Sequence, residues 1–120
     1  MQILLNADAN TDGGHLMAEH LERVVKDALG RRGGRITRVE AHLSDANSAA
    51  KAGPDEVHCL LEARLVGLDA IVVKNHAGNA HQAIDGAVHK LKRAIDAAID
   101  KHDAHHPRGA APAGEGDEPA

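Results

Sequence analysis

The apolar residues of this chain predict an α+β domain with the order β-α-β-β-β-α. Three observations carry that prediction. The stretches from His15 to Leu29 and from Ala80 to about His102 place their apolar residues at helical spacing. The stretches Arg35–Asp45 and Glu56–Val66 alternate apolar and polar residues, as half-buried strands do. Short apolar runs at Gln2–Ala7 and Ala70–His76 supply the two remaining strands.

Taken in order, Gln2–Ala7 (QILLNA) is the first strand. Asn10-Thr11-Asp12-Gly13-Gly14 is a loop that starts a helix, with Asp12 or Thr11 as the cap. The helix buries Leu16, Met17, Leu21, Val24, Val25, Ala28 and Leu29, and Gly30 stops it ahead of the basic turn Arg31-Arg32-Gly33-Gly34. In the second strand Thr37, Val39, Ala41 and Leu43 point one way, and Arg38, Glu40, His42 and Ser44 the other. Residues 46–55 form a loop rich in small residues. The third strand sets Val57, Cys59, Leu61, Ala63 and Leu65 against His58, Leu60, Glu62 and Arg64, and Gly67-Leu68-Asp69 turns the chain into the fourth. Asn79 followed by Gln82 opens the second helix with a variant of the capping box. Its stripe is rich in Ala, which lets it lie close to a sheet.

A first crossover between parallel strands followed by two hairpin-like connections gives a four-stranded mixed sheet. Each helix has one apolar stripe, so both pack on the same sheet face. The other face stays open and carries Arg38, Glu40, His42, His58, Glu62 and Arg64. Residues 1–102 form this domain, and residues 103–120 read as a disordered acidic tail of Pro, Gly and Ala.

Composition excludes several function classes. A length of 120 residues suits one domain. There is no Phe, Tyr or Trp, so no platform of these rings stacks nucleobases or cages a methylated ligand. Lys and Arg number 14 against 18 Asp and Glu, a net charge of −4, which is not the footprint of a strongly basic nucleic-acid binder. Much of that acidity lies in the tail, where Arg108 stands against Asp103, Glu115, Asp117 and Glu118. A single Cys59 rules out an internal disulfide and a multi-cysteine zinc site. The amino-terminal residues lack the basic and apolar regions of a signal peptide, and no stretch suits a membrane span. The expectation is a soluble, cytoplasmic protein.

Three segments carry a family resemblance. They are RITRVEAHLSD (35–45), LLEARLVGLDAIVV (60–73) and NAHQAIDGAVHKLKRAI (79–95). In this order and spacing they resemble the ribosome hibernation-promoting factor and ribosome-associated inhibitor family, also called sigma-54 modulation proteins. The resemblance covers roughly residues 1–102 and is close to the short forms, which lack a carboxy-terminal dimerisation domain. It implies a sheet-and-helix arrangement similar to the double-stranded-RNA-binding domain. It also implies binding to the small ribosomal subunit and its 16S rRNA, occlusion of the messenger and transfer RNA channel, and inhibition of translation under stress. Lys90 and Arg93 match the family's Ala-Ile-Asp…Lys-Leu-x-Arg helix motif and are carried over as rRNA contacts. Lys92 lies between them, and Arg64 and Lys74 match as basic strand residues. His81 sits in a region where family members commonly carry an aromatic residue.

The residues themselves support cations aimed at phosphates. Helix positions three and four apart share a face, so Lys90 and Arg93 can act together, with Lys92 and the Arg31-Arg32 turn beside them. Asp85–His89, Lys92–Asp96 and Asp96–Lys101 spacings permit partial neutralisation. The ten histidines raise two further readings. His102, His105 and His106 suit adventitious rather than physiological metal binding, so no metal or other cofactor is expected. His42, His58 and His76 are candidate cross-strand neighbours whose protonation would add positive charge. Cys59 lies on the apolar phase of its strand and His58 on the other, so His58 does not activate it. No phosphate-binding glycine loop or paired carboxylates are present, and no enzyme activity is expected. The partner that the resemblance implies is the small ribosomal subunit; no DNA and no membrane partner is expected, and the chain is expected to be a monomer or weak homodimer. The rival reading is a protein-interaction module of the same fold that has lost rRNA binding.

Overall fold

The computed structural model describes residues 1–8, 14–45 and 56–105. The elements are β1 (Gln2–Ala7), α1 (His15–Leu29), β2 (Ile36–Asp45), β3 (Val57–Leu65), β4 (Ile71–Ala77) and α2 (Ala80–His105). The sheet order is β1-β2-β3-β4. β1 runs parallel to β2, with Gln2 opposite Arg38 and Ala7 opposite Leu43. The β2–β3 and β3–β4 pairs are antiparallel. The predicted α+β order and mixed sheet are therefore the observed ones.

Both helices cover one sheet face. Met17, Leu21, Val25 and Leu29 of α1 meet Ile84, Val88, Leu91, Ile95 and Ile99 of α2 in one core cluster with Val39, Ala41, Leu43, Cys59, Leu61 and Ala63 of the sheet. Ala80, Ala83 and Ala87 keep α2 close to the sheet, and all three are buried. No polar or charged residue is buried among the described residues. This core closes without aromatic rings because aliphatic side chains from three directions interdigitate. Truncating a fully buried Leu or Ile here to Ala should cost about 2–5 kcal/mol. No described helix is long and apolar enough to cross a membrane.

Local chemistry sets the ends of the elements. Asn79 caps α2, its Oδ1 accepting the Gln82 N–H at 2.9 Å. Gly67 turns β3 into β4 with φ 77, a left-handed conformation that favours glycine. The cap of α1 is Gly14, with Ala18 N–H donating to Gly14 O at 3.0 Å, rather than Asp12 or Thr11, which lie outside the described residues. Gly30 is right-handed (φ −57, ψ −34), so it leads into a 3-10 turn over Gly30–Arg32 instead of ending the helix in a left-handed cap.

Two side chains expected in the core are outside it. Leu16 is 78% exposed. It precedes Leu21 by five residues, about 140° around the helix from the buried stripe. Thr37 is exposed and Ile36 buried, because a register shift between Ile36 and Arg38 reverses the phase of β2 at its start. The freed Thr37 hydroxyl donates to Arg64 O at 3.0 Å. α2 also continues to His105, past the expected end near His102. Asp103 is held there by Arg35 Nη2 at 3.5 Å. The rest of the expected tail, residues 106–120, lies outside the described residues.

Candidate nucleic-acid interface

α2 turns Arg93 away from the core. Arg93 is two residues from both Leu91 and Ile95, which are fully buried, and so sits about 200° around the helix from each. It is exposed and makes no ion pair among the described residues. Lys90 lies on the flank facing β4, where its Nζ donates to Lys74 O at 2.9 Å. That contact also covers a carbonyl on the edge strand.

The opposite flank of α2 is neutralised. Lys92 Nζ lies 3.0 Å from Asp96 Oδ2, and Arg32 Nε lies 3.1 Å from Asp96 Oδ1. Arg32 Nη2 also approaches Asp100 at 3.5 Å. The hydrogen bond from Lys92, reinforced by that from Arg32, holds the Asp96 carboxyl below the usual carboxylate range. Arg31, in the 3-10 turn, is exposed and makes no ion pair among the described residues.

Arg64 and Lys74 lie on the other side of the sheet. The predicted cations therefore form two groups: Arg31, Arg32, Lys90, Lys92 and Arg93 on the helical side, and Arg64 and Lys74 on the open sheet face. Arg64 Nη2 is 3.3 Å from Glu62, and Lys74 is exposed without a carboxylate partner among the described residues. Sequence reasoning left Arg38 out of the candidate set. It sits directly across the ladder from Arg64, and Glu40 sits across from Glu62. Like charges opposite one another repel. Here each arginine has a glutamate two residues along its own strand, Arg38 at 3.5 Å from Glu40 and Arg64 at 3.3 Å from Glu62. The mirrored triplets RVE and EAR on consecutive antiparallel strands were the available signal.

Five of the described histidines form two clusters. His58 and His76 are direct cross-strand partners, with ring centroids 5.5 Å apart. His42 faces Leu60 on the same open face. A second cluster joins the helices, and sequence reasoning missed it. His20 Nε2 is 2.8 Å from Asp85 Oδ1, Arg23 Nη2 is 3.4 Å from His20 Nδ1, and the His81 ring centroid is 4.5 Å from that of His20. Arginine only donates, so Nδ1 accepts and Nε2–H donates to Asp85. Asp85 is thus engaged across the helix pair rather than with His89.

Cys59 is 1% exposed, and burial pushes its thiol up to about 12. This is a packed side chain, as its strand phase predicted, and not an activated nucleophile. No group of three or more His, Cys, Asp or Glu able to hold a metal ion occurs among the described residues. His106 of the expected tail cluster lies outside them.

The N-terminal domain of Thermus thermophilus Protein Y is similar in fold, with a TM-score of 0.66 at 18% identity, covering 81% of this chain and 98% of that one. A ribosomal subunit interface protein from Coxiella burnetii is similar with a TM-score of 0.67 at 14% identity, covering 83% of this chain and 99% of that one. At these identities the likeness is one of fold. No curated protein sequence matches the chain. The family described as sigma 54 modulation protein / S30EA ribosomal protein matches residues 13–103, a span that takes in α1, the three strands β2 to β4 and nearly all of α2. That match covers most of the chain and includes the helix bearing Lys90 and Arg93, and it makes this protein a member of the sigma 54 modulation protein / S30EA ribosomal protein family.

Proposed function

We propose that this chain is a ribosome-associated factor that binds the small ribosomal subunit, occludes the channel for messenger and transfer RNA, and so silences translation under stress. Family membership supports association with the ribosome. The observation that carries the finer reading is the placement of Arg93: exposed, opposite the core, and free of any carboxylate among the described residues. Lys90 lies beside it, three residues back on the same helix, and Arg31 is a further exposed cation without a carboxylate partner on the helical side. Such cations contact phosphates and the shape of the RNA backbone. The mechanism is steric occlusion with electrostatic adhesion, without a catalytic step, and the site is cytoplasmic where ribosomes work.

A second reading has specific support. Arg32, Lys92 and Arg64 each carry a carboxylate partner, and the chain's net charge is −4. These features suit a protein-interaction module of the same fold. Co-sedimentation of labelled protein with purified small subunits at low and high salt separates the two. Binding that weakens with salt and disappears in Lys90→Glu/Arg93→Glu supports rRNA contact. Absence of binding at low salt, or binding to a protein partner that ignores salt, overturns it. Sedimentation of the protein alone reports whether it is a monomer or a weak homodimer.

A further inference from the structure

Three cations and three carboxylates described on the strands and edge of the open sheet face offset one another. Arg38, Arg64 and Lys74 stand against Glu40, Glu62 and Glu56. With neutral histidines these cancel. Three histidines share the face, and each protonation adds a positive charge.

Their geometry makes that charge available to a ligand. His42, Ser44, His58, Leu60, Lys74 and His76 line a depression of about 410 Å³. The side chains of His42, His58 and His76 are 49%, 50% and 66% exposed. Lys74 lies two residues from His76 along β4, about 7 Å at strand rise. Ser44 faces His58 across the β2–β3 ladder. The depression therefore offers hydroxyl, imidazole and ammonium donors on neighbouring strands.

Among the described residues, Glu56, Glu40, Asp8 and Asp45 lie near these histidines. Glu56 Oε2 lies 2.6 Å from His76 Nδ1 and 3.9 Å from His58 Nε2. Glu40 Oε2 lies 3.7 Å from His42 Nε2 and accepts Asn6 Nδ2 of β1 at 2.6 Å. Asp8 and Asp45 sit at the same end of the sheet, joined by Asp45 N–H to Asp8 Oδ2 at 3.3 Å. α1 and α2 pack on the opposite face. Glu56 is placed to pair with a protonated His76, and protonation of His42 and His58 as well adds positive charge beside Lys74.

We infer that this open face is a second RNA-phosphate-binding surface, switched on by protonation of His42, His58 and His76. The inference rests on the reading that the chain works against rRNA, and it adds a face and a pH dependence which that reading lacks. The occupant is an RNA backbone, because the face gains only cationic and hydroxyl donors and lacks Phe, Tyr and Trp.

The test compares binding of the full chain, labelled at its amino terminus, at about pH 6 and about pH 7.5 and constant salt. The probes are purified small subunits, a short oligouridylate and poly-glutamate. Wild type should bind subunits and oligouridylate about tenfold tighter at the lower pH, with a steeper salt dependence. His58→Gln/His76→Gln should lose most of that gain. His58→Lys/His76→Lys should bind oligouridylate tightly at both pH values, which shows that charge matters rather than damage to the fold. Equal wild-type affinity at both pH values overturns the switch and leaves subunit binding standing. So does an unchanged pH response in the glutamine variant. A pH-dependent gain for oligouridylate without any subunit binding upholds this face and overturns the ribosomal reading. Preference for poly-glutamate overturns the assignment to RNA.

Discussion

The Asn75 side chain fills the space that a Cβ on Gly86 would need. Asn75, on the helix-covered face of β4, donates from Nδ2 to Ala83 O at 3.2 Å, and a methyl group at Gly86 would collide with that amide. A glycine inside a helix costs about 1 kcal/mol relative to alanine. Here it lets α2 lie against β4 with the asparagine between them.

Gly86→Ala should therefore destabilise the protein despite its better helix propensity. The asparagine must leave its hydrogen bond in a half-buried position, at about 1–3 kcal/mol, which exceeds the gain of about 1 kcal/mol. In an Asn75→Ala background the collision is gone, and Gly86→Ala should become neutral or stabilising. Thermal unfolding by circular dichroism of the four proteins measures the coupling. Additive effects would show that the two positions do not share space.

Asp96 predicts an acid limb in the stability curve. Its carboxyl is lowered first by the Lys92 hydrogen bond and then by Arg32. The stabilisation is present above the unfolded value, near ~3.9, and is lost as pH falls through the lower folded value. Urea unfolding between about pH 5 and pH 3 should show wild type losing more stability than Asp96→Asn. The same variant removes a negative charge and frees Lys92 from its carboxylate, while Arg32 keeps Asp100. Its small-subunit affinity should rise severalfold at low salt even though it is less stable at pH 7. Unchanged affinity would place Lys92 outside the RNA contact.

The order of elements was legible because both helices and the two central strands carry a periodic signal, and short apolar runs mark the other two strands. The alternation Val57, Cys59, Leu61, Ala63, Leu65 survives intact in β3, with all but half-buried Val57 in the buried class. A single irregular residue defeats such reading. The register shift at Ile36 and Arg38 moved Thr37 out of the core, and nothing local in ITRVE announces it. The candidate cations were legible as residue types but not as a surface. That Arg32 and Lys92 share Asp96 depends on how the 3-10 turn meets α2, a contact between residues 64 apart in sequence. That Arg64 lies across the sheet from Arg93 follows from the alternation of β3, whereas the apolar run of β4 did not announce the face of Lys74.

Cys59 should be unreactive in the native state. It is 1% exposed, and burial raises its thiol to about 12, so almost no thiolate forms at neutral pH. Ellman's reagent should report about one thiol per chain in denaturant and almost none in buffer within the same time. Cys59→Ala should cost less stability than Cys59→Ser, because serine buries a hydroxyl among apolar neighbours. Rapid native labelling would show that this part of the core opens.

Lys90 and Arg93 should separate in their effects on stability. Lys90 Nζ donates to Lys74 O at 2.9 Å, so Lys90→Ala should lower stability by about 0.5–1 kcal/mol. Arg93 has no ion-pair partner among the described residues and points away from the core, so Arg93→Ala should leave stability within about 0.5 kcal/mol of wild type. Any loss of small-subunit binding in Arg93→Ala is then a loss of contact rather than of fold. Removing one phosphate contact should also reduce the slope of log affinity against log salt by about 1. Retention of both affinity and slope in Arg93→Ala would move the RNA contact off the outward face of α2.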